Sequence, residues 1–247
     1  MLEAYEKVSM NITLITSFNQ TYYDLIGKDS VESVLKYWPT HINLRCYIEQ
    51  MPVLDHARIQ CVDYSELGPE YEKFQQSLQS RSTKKFAKKA WSTIHAMNSV
   101  KSGWIVWLDA DTITQQTITN NLLDQILITD KVCSYLGVTY HSRKDGTPGN
   151  WLVPETGFYA INTEHRDFVN FRWEYSRRYL EQDFSDLRRA YDNDVFGAAL
   201  IHSGNRGLDL CSKLQKPYKT PLKHTILGAY LKHWKAKHSK KTYADLQ

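Results

Sequence analysis

The chain has 247 residues, of which 42% are hydrophobic and 23% are charged, a composition typical of an ordinary soluble globular protein. This length allows a single α/β domain with a full core. The four cysteines show no CxxC spacing, which excludes a small disulfide framework and favours reduced thiols. The formal net charge of +4 selects no partner, because a diphosphate, a nucleic acid, an acidic glycan or no polyanion at all would suit it.

No segment of the sequence predicts export or insertion into a membrane. The apolar run near the N-terminus is too short for a signal peptide and is preceded by acidic residues. No stretch approaches the roughly 20 apolar residues of a transmembrane helix. We therefore expect a cytoplasmic protein.

Hydrophobic periodicity predicts strands that alternate with helices through the first half of the chain. In chain order, the predicted elements are a strand at 12–18, a helix at 22–38, strands at 42–49 and 59–64, a helical region after Gly68 that breaks around 80–83 and continues over 84–100, a strand at 104–108, a helix at 118–128, strands at 132–140 and 158–161, and helices at 166–179 and 195–201. This alternation is typical of an α/β sandwich with a mainly parallel sheet flanked by helices. No repeat, linker or boundary is evident, so we predict one domain over residues 1–247.

An acidic pair directly follows the predicted strand 104–108. That strand, WIVWL, is apolar at every position, which is typical of a central strand covered on both faces. Asp109 and Asp111 then lie at its carboxyl end, where open α/β sheets bind ligands. Residues two apart on an extended chain point the same way, so both carboxylates could face one point. Their oxygens suit Mg²⁺ or Mn²⁺, and such an ion would neutralise charge on a departing diphosphate.

Two other interpretations of the acidic pair are open. Short Asp-x-Asp matches often cap a following helix or turn. The nucleophilic loop of haloacid-dehalogenase-type phosphotransferases also has two Asp residues, with a Thr two places later. Here that place holds Ile113, and the motif lies mid-chain instead of near the N-terminus. Both observations disfavour the phosphotransferase.

Several segments together resemble the small stand-alone GT-A glycosyltransferases found in bacteria and their phages, which are distantly related to the retaining family that uses UDP-galactose or UDP-glucose. The segments are LITSFNQTYYDLIGKDSVESVLKYWP, FAKKAWSTIHAM, GWIVWLDADT, ETGFYAIN, YDNDVFGAAL and HTILGAYLKHWKAK, in this order over most of the chain. Only the block with the acidic pair is specific by itself. The resemblance implies a GT-A type, Rossmann-like sandwich with a nucleotide-sugar half at about 1–115 and an acceptor half at about 116–247.

The resemblance also implies residues on the donor side of a site. Thr16, Ser17 and Phe18 would end the first strand against the nucleotide base and ribose, where the alternative is an ordinary turn. Lys89 would lie near the donor diphosphate, where the alternative is a solvated helix lysine. Asp109 would contact the ribose or a metal ion.

A histidine near the C-terminus is implied as a further metal ligand beside Asp111. We predict His233 for this role, with His224 as the competing ligand. Lys235 would then reach the diphosphate as a point charge. Relatives usually have Gly after that lysine, whereas this chain has Ala236.

Three carboxylates are implied close to the sugar and the acceptor. Glu155 opens the block ETGFYAIN, which borders both in relatives. Asp192 and Asp194 fall where relatives place an acidic residue near the reacting carbon. There a carboxylate acts as a base in an inverting reaction or stabilises positive charge in a retaining one. The alternative is an N-cap for a helix beginning at Val195, and we favour Asp192 for the chemistry.

The sequence thus predicts a glycosyltransferase that moves a hexose or pentose from a nucleoside diphosphate sugar, UDP-linked, to a hydroxyl group with Mn²⁺ or Mg²⁺. The acceptor is either a saccharide or a hydroxymethylated base in phage-type DNA, inside a bacterial or phage-infected host cell. DNA would suit a lysine-rich C-terminal segment, which is otherwise a solvated helix face. Its lysines are Lys213, Lys216, Lys219, Lys223, Lys232, Lys235, Lys237, Lys240 and Lys241. The alternative functions are a non-catalytic sugar- or nucleotide-binding module and, less well supported, a metal-dependent phosphatase.

Overall fold

A computed structural model describes residues 10–78, 81–139, 152–187, 189–204, 207–213 and 220–234. The strands are β1 (Ile12–Asn19), β2 (Asn43–Glu49), β3 (Ile59–Asp63), β4 (Trp104–Leu108), β5 (Thr112–Thr114), β6 (Cys133–Thr139), β7 (Leu152–Asn162), β8 (Gly207–Asp209) and β9 (Leu231–His233). Most of them form one mixed sheet in the order β3-β2-β1-β4-β7-β6-β8. Within the seven-stranded sheet only β7 runs antiparallel to its neighbours. The predicted mainly parallel sheet is therefore confirmed.

The helices lie mostly where periodicity predicts them. They are α1 (Gln20–Tyr22), α2 (Lys28–Tyr37), α3 (Pro69–Ser77), α4 (Arg81–Ser99), α5 (Asn120–Ile126), α6 (Phe168–Leu180) and α7 (Asp192–His202). A π-helical turn at Tyr23–Gly27 joins α1 to α2, so the predicted helix 22–38 is nearly continuous. Among the described residues no helix is long and apolar enough to cross a membrane.

The core consists of two hydrophobic clusters, one on each face of the large sheet. Side chains of β4 alternate between them: Val106 and Leu108 belong to one cluster, and Ile105 and Trp107 to the other. Because successive strand residues point to opposite faces, a strand covered on both sides must be apolar throughout. This explains the WIVWL run and confirms β4 as a central strand.

A second, two-stranded sheet pairs β5 with β9 in antiparallel register. Sequence periodicity does not predict it, because strands of three residues are too short to show alternation. The pairing sets Thr112 opposite His233. It thereby brings the C-terminal part of the described chain beside the carboxyl end of β4.

The first turn of α7 differs from the sequence prediction. The helix begins at Asp192, and its N-cap residue is the extended Tyr191. Asp192 and Asp194 therefore lie inside the first turn, and the expected helix start at Val195 with an aspartate cap is wrong. Both carboxylates are buried, and that of Asp192 contacts Thr156 and Lys89 from other elements of the fold.

Strands from both halves of the chain, about 1–115 and 116–247, join in the one large sheet. The division into a nucleotide-sugar half and an acceptor half stays a prediction.

Candidate active site

A cavity of about 530 Å³ opens at the carboxyl ends of β1, β2 and β4. The loop after a parallel strand and the start of a helix commonly frame ligand sites in α/β sheets. Of the residues predicted from sequence, those that line this cavity are Ser17, Phe18, Lys89, Asp109, Asp111, Glu155 and Asp192. The volume lies within the range of about 300–1,000 Å³ that small-molecule sites occupy.

A tight turn at the end of β4 positions the acidic pair. β4 ends at Leu108, and the amide of Thr112 donates to the carbonyl of Asp109 across 2.8 Å. The amide of Asp109 donates to the carbonyl of Gly157 on β7 at 3.0 Å, which anchors the turn to the sheet. The turn brings the two carboxylates together. The expectation that they converge because side chains alternate along an extended strand is therefore wrong.

His233 completes a cluster of three residues whose side chains can bind a metal ion. Its Nε2 lies 2.8 Å from Asp111 Oδ1 and 3.9 Å from Asp109 Oδ2. One ligand atom of each of these three residues lies within 4.8 Å of the others. The amide of Trp234 donates to the carbonyl of Asp111 at 2.7 Å, so the β5–β9 ladder fixes this arrangement through the backbone.

The negative charges around His233 would stabilise a bound cation. Burial alone would lower the pKa of His233, but its hydrogen bond to Asp111 and the charges of Asp109 and Glu155 outweigh burial and raise it. Burial, followed by the charge of Asp109, raises the pKa of Glu155. The negative charge that raises the pKa of His233 and of Glu155 would also attract a divalent cation.

Gly157 has no side chain, and this leaves room between Glu155, His233 and Asp109. A Cβ atom at Gly157 would lie 2.7 Å from Glu155 Oε1, 3.2 Å from His233 Cε1 and 3.4 Å from Asp109 Oδ2. A side chain here would therefore occupy the space that the three groups share. The oxygen and imidazole ligands suit Mn²⁺ or Mg²⁺, so the residues present fit the ion that the sequence predicts.

Lys89 lies at the centre of the polar wall. Its ammonium contacts Asp109 Oδ1 at 2.9 Å, Asp192 Oδ2 at 3.1 Å and the carbonyl of Thr156. Burial would lower the pKa of Lys89, but the two carboxylates outweigh it and raise the pKa. An ammonium has three donors, and these three acceptors match that number. The predicted contact of Lys89 with a diphosphate stays a prediction.

The two aspartates of α7 have different surroundings. Asp192 Oδ2 accepts a hydrogen bond from Thr156 Oγ1 at 2.6 Å and faces Lys89, at the cavity wall. Asp194 is not among the residues that line the cavity, and its Oδ2 lies 3.4 Å from an Arg189 guanidinium nitrogen. Asp192 is therefore the member of the pair that the fold brings beside the acidic cluster.

Three other predicted residues lie away from the cluster or outside the described chain. Thr16 is buried and does not line the cavity, and its hydroxyl has no hydrogen-bond partner among the described residues. His224 is exposed at the end of the 3₁₀ turn Pro221–His224 and is not in the metal-ligand group of the described residues. Lys235 falls outside the residues that the structure describes.

Sequence reasoning missed two groups that bind the site carboxylates. Trp107 Nε1 donates to Asp109 Oδ1 at 2.6 Å, and Thr156 binds Asp192. The short spacing between Trp107 and Asp109 is the signal for the first, although Asp109 itself lies in the turn after β4. No signal in the sequence predicts the second, because it depends on how β7 packs against α7.

No family model and no curated protein matches this sequence, but solved structures share its fold. An active-site mutant of LgtC has a TM-score of 0.58 at 13% identity and covers 90% of this chain and 86% of its own. The galactosyltransferase LgtC with donor and acceptor sugar analogues has a TM-score of 0.54 at 13% identity, with the same coverage. The bifunctional glycosyltransferase WbbM has a TM-score of 0.50 at 13% identity over 82% of this chain, which spans 39% of that protein.

The described strands and helices therefore form the GT-A glycosyltransferase fold, with an Asp-Asp-His cluster at the carboxyl end of the central strand.

Proposed function

We propose that this protein is a metal-dependent glycosyltransferase that uses a nucleoside diphosphate sugar, UDP-linked, as its donor. The observation that carries the proposal is the cluster of Asp109, Asp111 and His233, whose ligand atoms lie within 4.8 Å of one another and whose two aspartates line the cavity. The proteins with which this chain shares its fold, LgtC and WbbM, are named glycosyltransferases, and one LgtC structure holds donor and acceptor sugar analogues.

The residues that line the cavity suit a nucleoside diphosphate sugar bound along this edge of the sheet. Ser17, Phe18 and Tyr22 line the end formed by β1 and α1, and aromatic and hydroxyl groups of this kind suit a base and a ribose. Asp109 and Asp111 of the acidic cluster line the same cavity. We propose that the nucleoside binds at the first end and that the diphosphate lies over the acidic cluster.

Asp109, Asp111 and His233 would hold Mn²⁺ or Mg²⁺. When bound, the ion would supply positive charge against the charge that develops on the departing diphosphate. The protein's own groups fix the geometry: Lys89 and Thr156 both bind Asp192 Oδ2. We propose that the Asp192 carboxylate faces the reacting sugar carbon, where negative charge stabilises an oxocarbenium-like transition state in either stereochemical course.

Two acceptor classes suit this site, a saccharide and a DNA base. The observation that favours nucleic acid is the outer side of β9, where Lys232 and Trp234 are exposed and the lysine ammonium lies 4.9 Å from the ring centroid. Lys223 is exposed on the 3₁₀ turn Pro221–His224, earlier in the same segment. Lysines that contact phosphates and an aromatic ring that stacks on a base are the elements of such binding.

The DNA acceptor is tested by duplex binding at 20 mM and 200 mM salt. Wild-type binding should fall steeply with salt, and Lys223→Gln with Lys232→Gln should flatten that dependence. Absence of duplex binding at low salt would leave the saccharide as the acceptor. A base inside a duplex would also have to be flipped out to reach the donor.

The proposed function is tested by the turnover of UDP-sugars with and without Mn²⁺. We expect release of UDP from at least one donor by the wild type, and loss of this activity in Asp111→Ala. Asp130→Ala is the matched control, because the Asp130 side chain is 72% exposed and pairs with Lys131 away from the cavity. Near-normal activity of Asp111→Ala would contradict the proposal.

Donor binding without any turnover would instead support a non-catalytic module, and phosphate release that survives His233→Ala would support a phosphatase.

A further inference from the structure

The two oxygens of the Asp109 carboxylate have different neighbours. Oδ1 accepts hydrogen bonds from Trp107 Nε1 at 2.6 Å and from Lys89 Nζ at 2.9 Å. Oδ2 points toward His233, whose Nε2 lies 3.9 Å away. One oxygen is therefore bound by donors of the protein, and the other is directed into the acidic cluster.

Trp107 is held rigidly enough to direct this hydrogen bond. It lies within β4, two residues before Asp109, and is only 2% exposed. Its ring stacks on Tyr159 with 6.0 Å between centroids and 9° between planes. The Tyr159 hydroxyl is in turn hydrogen-bonded to Thr93 Oγ1 at 2.6 Å. An indole N–H can only donate, so this contact has one possible direction.

Lys89 binds the same oxygen but does not define its orientation. Its ammonium is shared among Asp109, Asp192 and the carbonyl of Thr156. An ammonium on a flexible stem rotates and can redistribute its donors among such acceptors. The Trp107 indole, by contrast, makes one hydrogen bond to the side chain of Asp109.

We propose that Trp107 is a positioning residue for the metal site. Its indole N–H fixes Asp109 Oδ1, so that Oδ2 alone is presented to the cation together with Asp111 and His233. This inference rests on the proposed function, because it requires the cation site. Groups that orient metal ligands typically change metal affinity by about 10- to 100-fold when they are removed.

The test is the Mn²⁺ affinity of Trp107→Phe, measured as free Mn²⁺ by electron paramagnetic resonance in the absence of any donor. Phenylalanine retains an aromatic ring for Tyr159 and Lys89 but lacks the N–H. We expect Mn²⁺ binding to weaken by about 10- to 100-fold. Trp91→Phe is the matched control, because Trp91 is also buried while its indole nitrogen has no hydrogen-bond partner among the described residues. The control should bind Mn²⁺ as the wild type does.

The outcomes separate the inference from the proposed function. Suppose that the wild type binds Mn²⁺ and that the affinity of Trp107→Phe is within about twofold of it, a difference smaller than that expected for an orienting group. The role of Trp107 is then overturned, and the metal site stands. If the wild type binds no Mn²⁺, both fall together. If Trp107→Phe does not fold, 3-benzothienylalanine at position 107 replaces it, because sulfur then stands where the N–H was and the ring shape is kept. The same two affinity results then decide.

Discussion

At the residue scale, the site is organised by which atom of each carboxylate is engaged. Trp107 and Lys89 bind one oxygen of Asp109, which is Oδ1. The described side-chain contacts of Asp192 are also made to one oxygen, which is Oδ2. The buried ammonium of Lys89 joins these two carboxylates. Such a pair loses much of its stabilisation when either partner is removed, because the other charge is left buried. We therefore expect the charge of Lys89 to stabilise both carboxylates, while Trp107 determines the orientation of Asp109.

Gly157→Ala should weaken the site without unfolding the protein. The new methyl group would lie 2.7 Å from Glu155 Oε1 and 3.2 Å from His233 Cε1, so at least one of these groups must shift. We expect Mn²⁺ affinity to fall by about 10-fold or more, as for other changes that displace metal ligands, and isothermal titration measures it.

Gly204→Ala is the contrasting variant. A Cβ there meets nothing within 4 Å, but the backbone has φ of 100°, so alanine is strained and should cost about 1 kcal/mol of stability. Its Mn²⁺ affinity should be unchanged. Wild-type affinity in Gly157→Ala would contradict the proposed arrangement of the cluster.

At the element scale, the short β5–β9 ladder brings a distant part of the chain to the metal cluster. Three residues on each strand are paired, and the flanking bond from the Trp234 amide to the Asp111 carbonyl continues the ladder past His233. The His233 imidazole is directed at Asp111, while its neighbours Lys232 and Trp234 are exposed. The ladder therefore determines both the position and the orientation of the imidazole.

Trp234→Pro and Trp234→Phe separate the backbone of β9 from its side chain. Proline removes the N–H that binds Asp111, and it favours extended backbone at His233, which a strand tolerates. We expect about 10-fold weaker Mn²⁺ binding in the proline variant and wild-type binding in the phenylalanine variant, measured by isothermal titration. Equal affinities in both variants would show that the ladder does not hold the site.

The sequence predicted the long elements and the acidic pair, and physical reasons explain what it missed. The apolar strand β4 and the helix α4 have strong periodicity, so their positions were confirmed within a few residues. The ladder was missed because three-residue strands show no period. An N-cap before Val195 was the alternative role for the aspartates of α7, because their type favours that position, but the helix begins at Asp192 and the Asp192 carboxylate binds Thr156 instead. His233 was predicted from the resemblance, and the fold places it beside Asp111.

At the scale of the whole molecule, a mainly parallel sheet brings residues from distant segments to one edge. Residues of β1, α4, β4, β7 and α7 all line the same cavity. Each segment supplies a different kind of group, from the apolar Phe18 to the charged Lys89 and Asp192. The chemistry therefore depends on the sheet order, and no single motif contains it.

The most direct test of the central claim is a thermal-shift measurement with UDP-sugars in the presence and absence of Mn²⁺. A donor at 100 times its Kd stabilises the native state by about 2.7 kcal/mol, which for a chain of this size raises Tm by roughly 5–10 °C. We predict this rise for at least one UDP-sugar with the wild type and Mn²⁺, and its loss without the ion or in Asp111→Ala. No rise with any UDP-sugar, or an equal rise in Asp111→Ala, would contradict a metal-dependent nucleotide-sugar site.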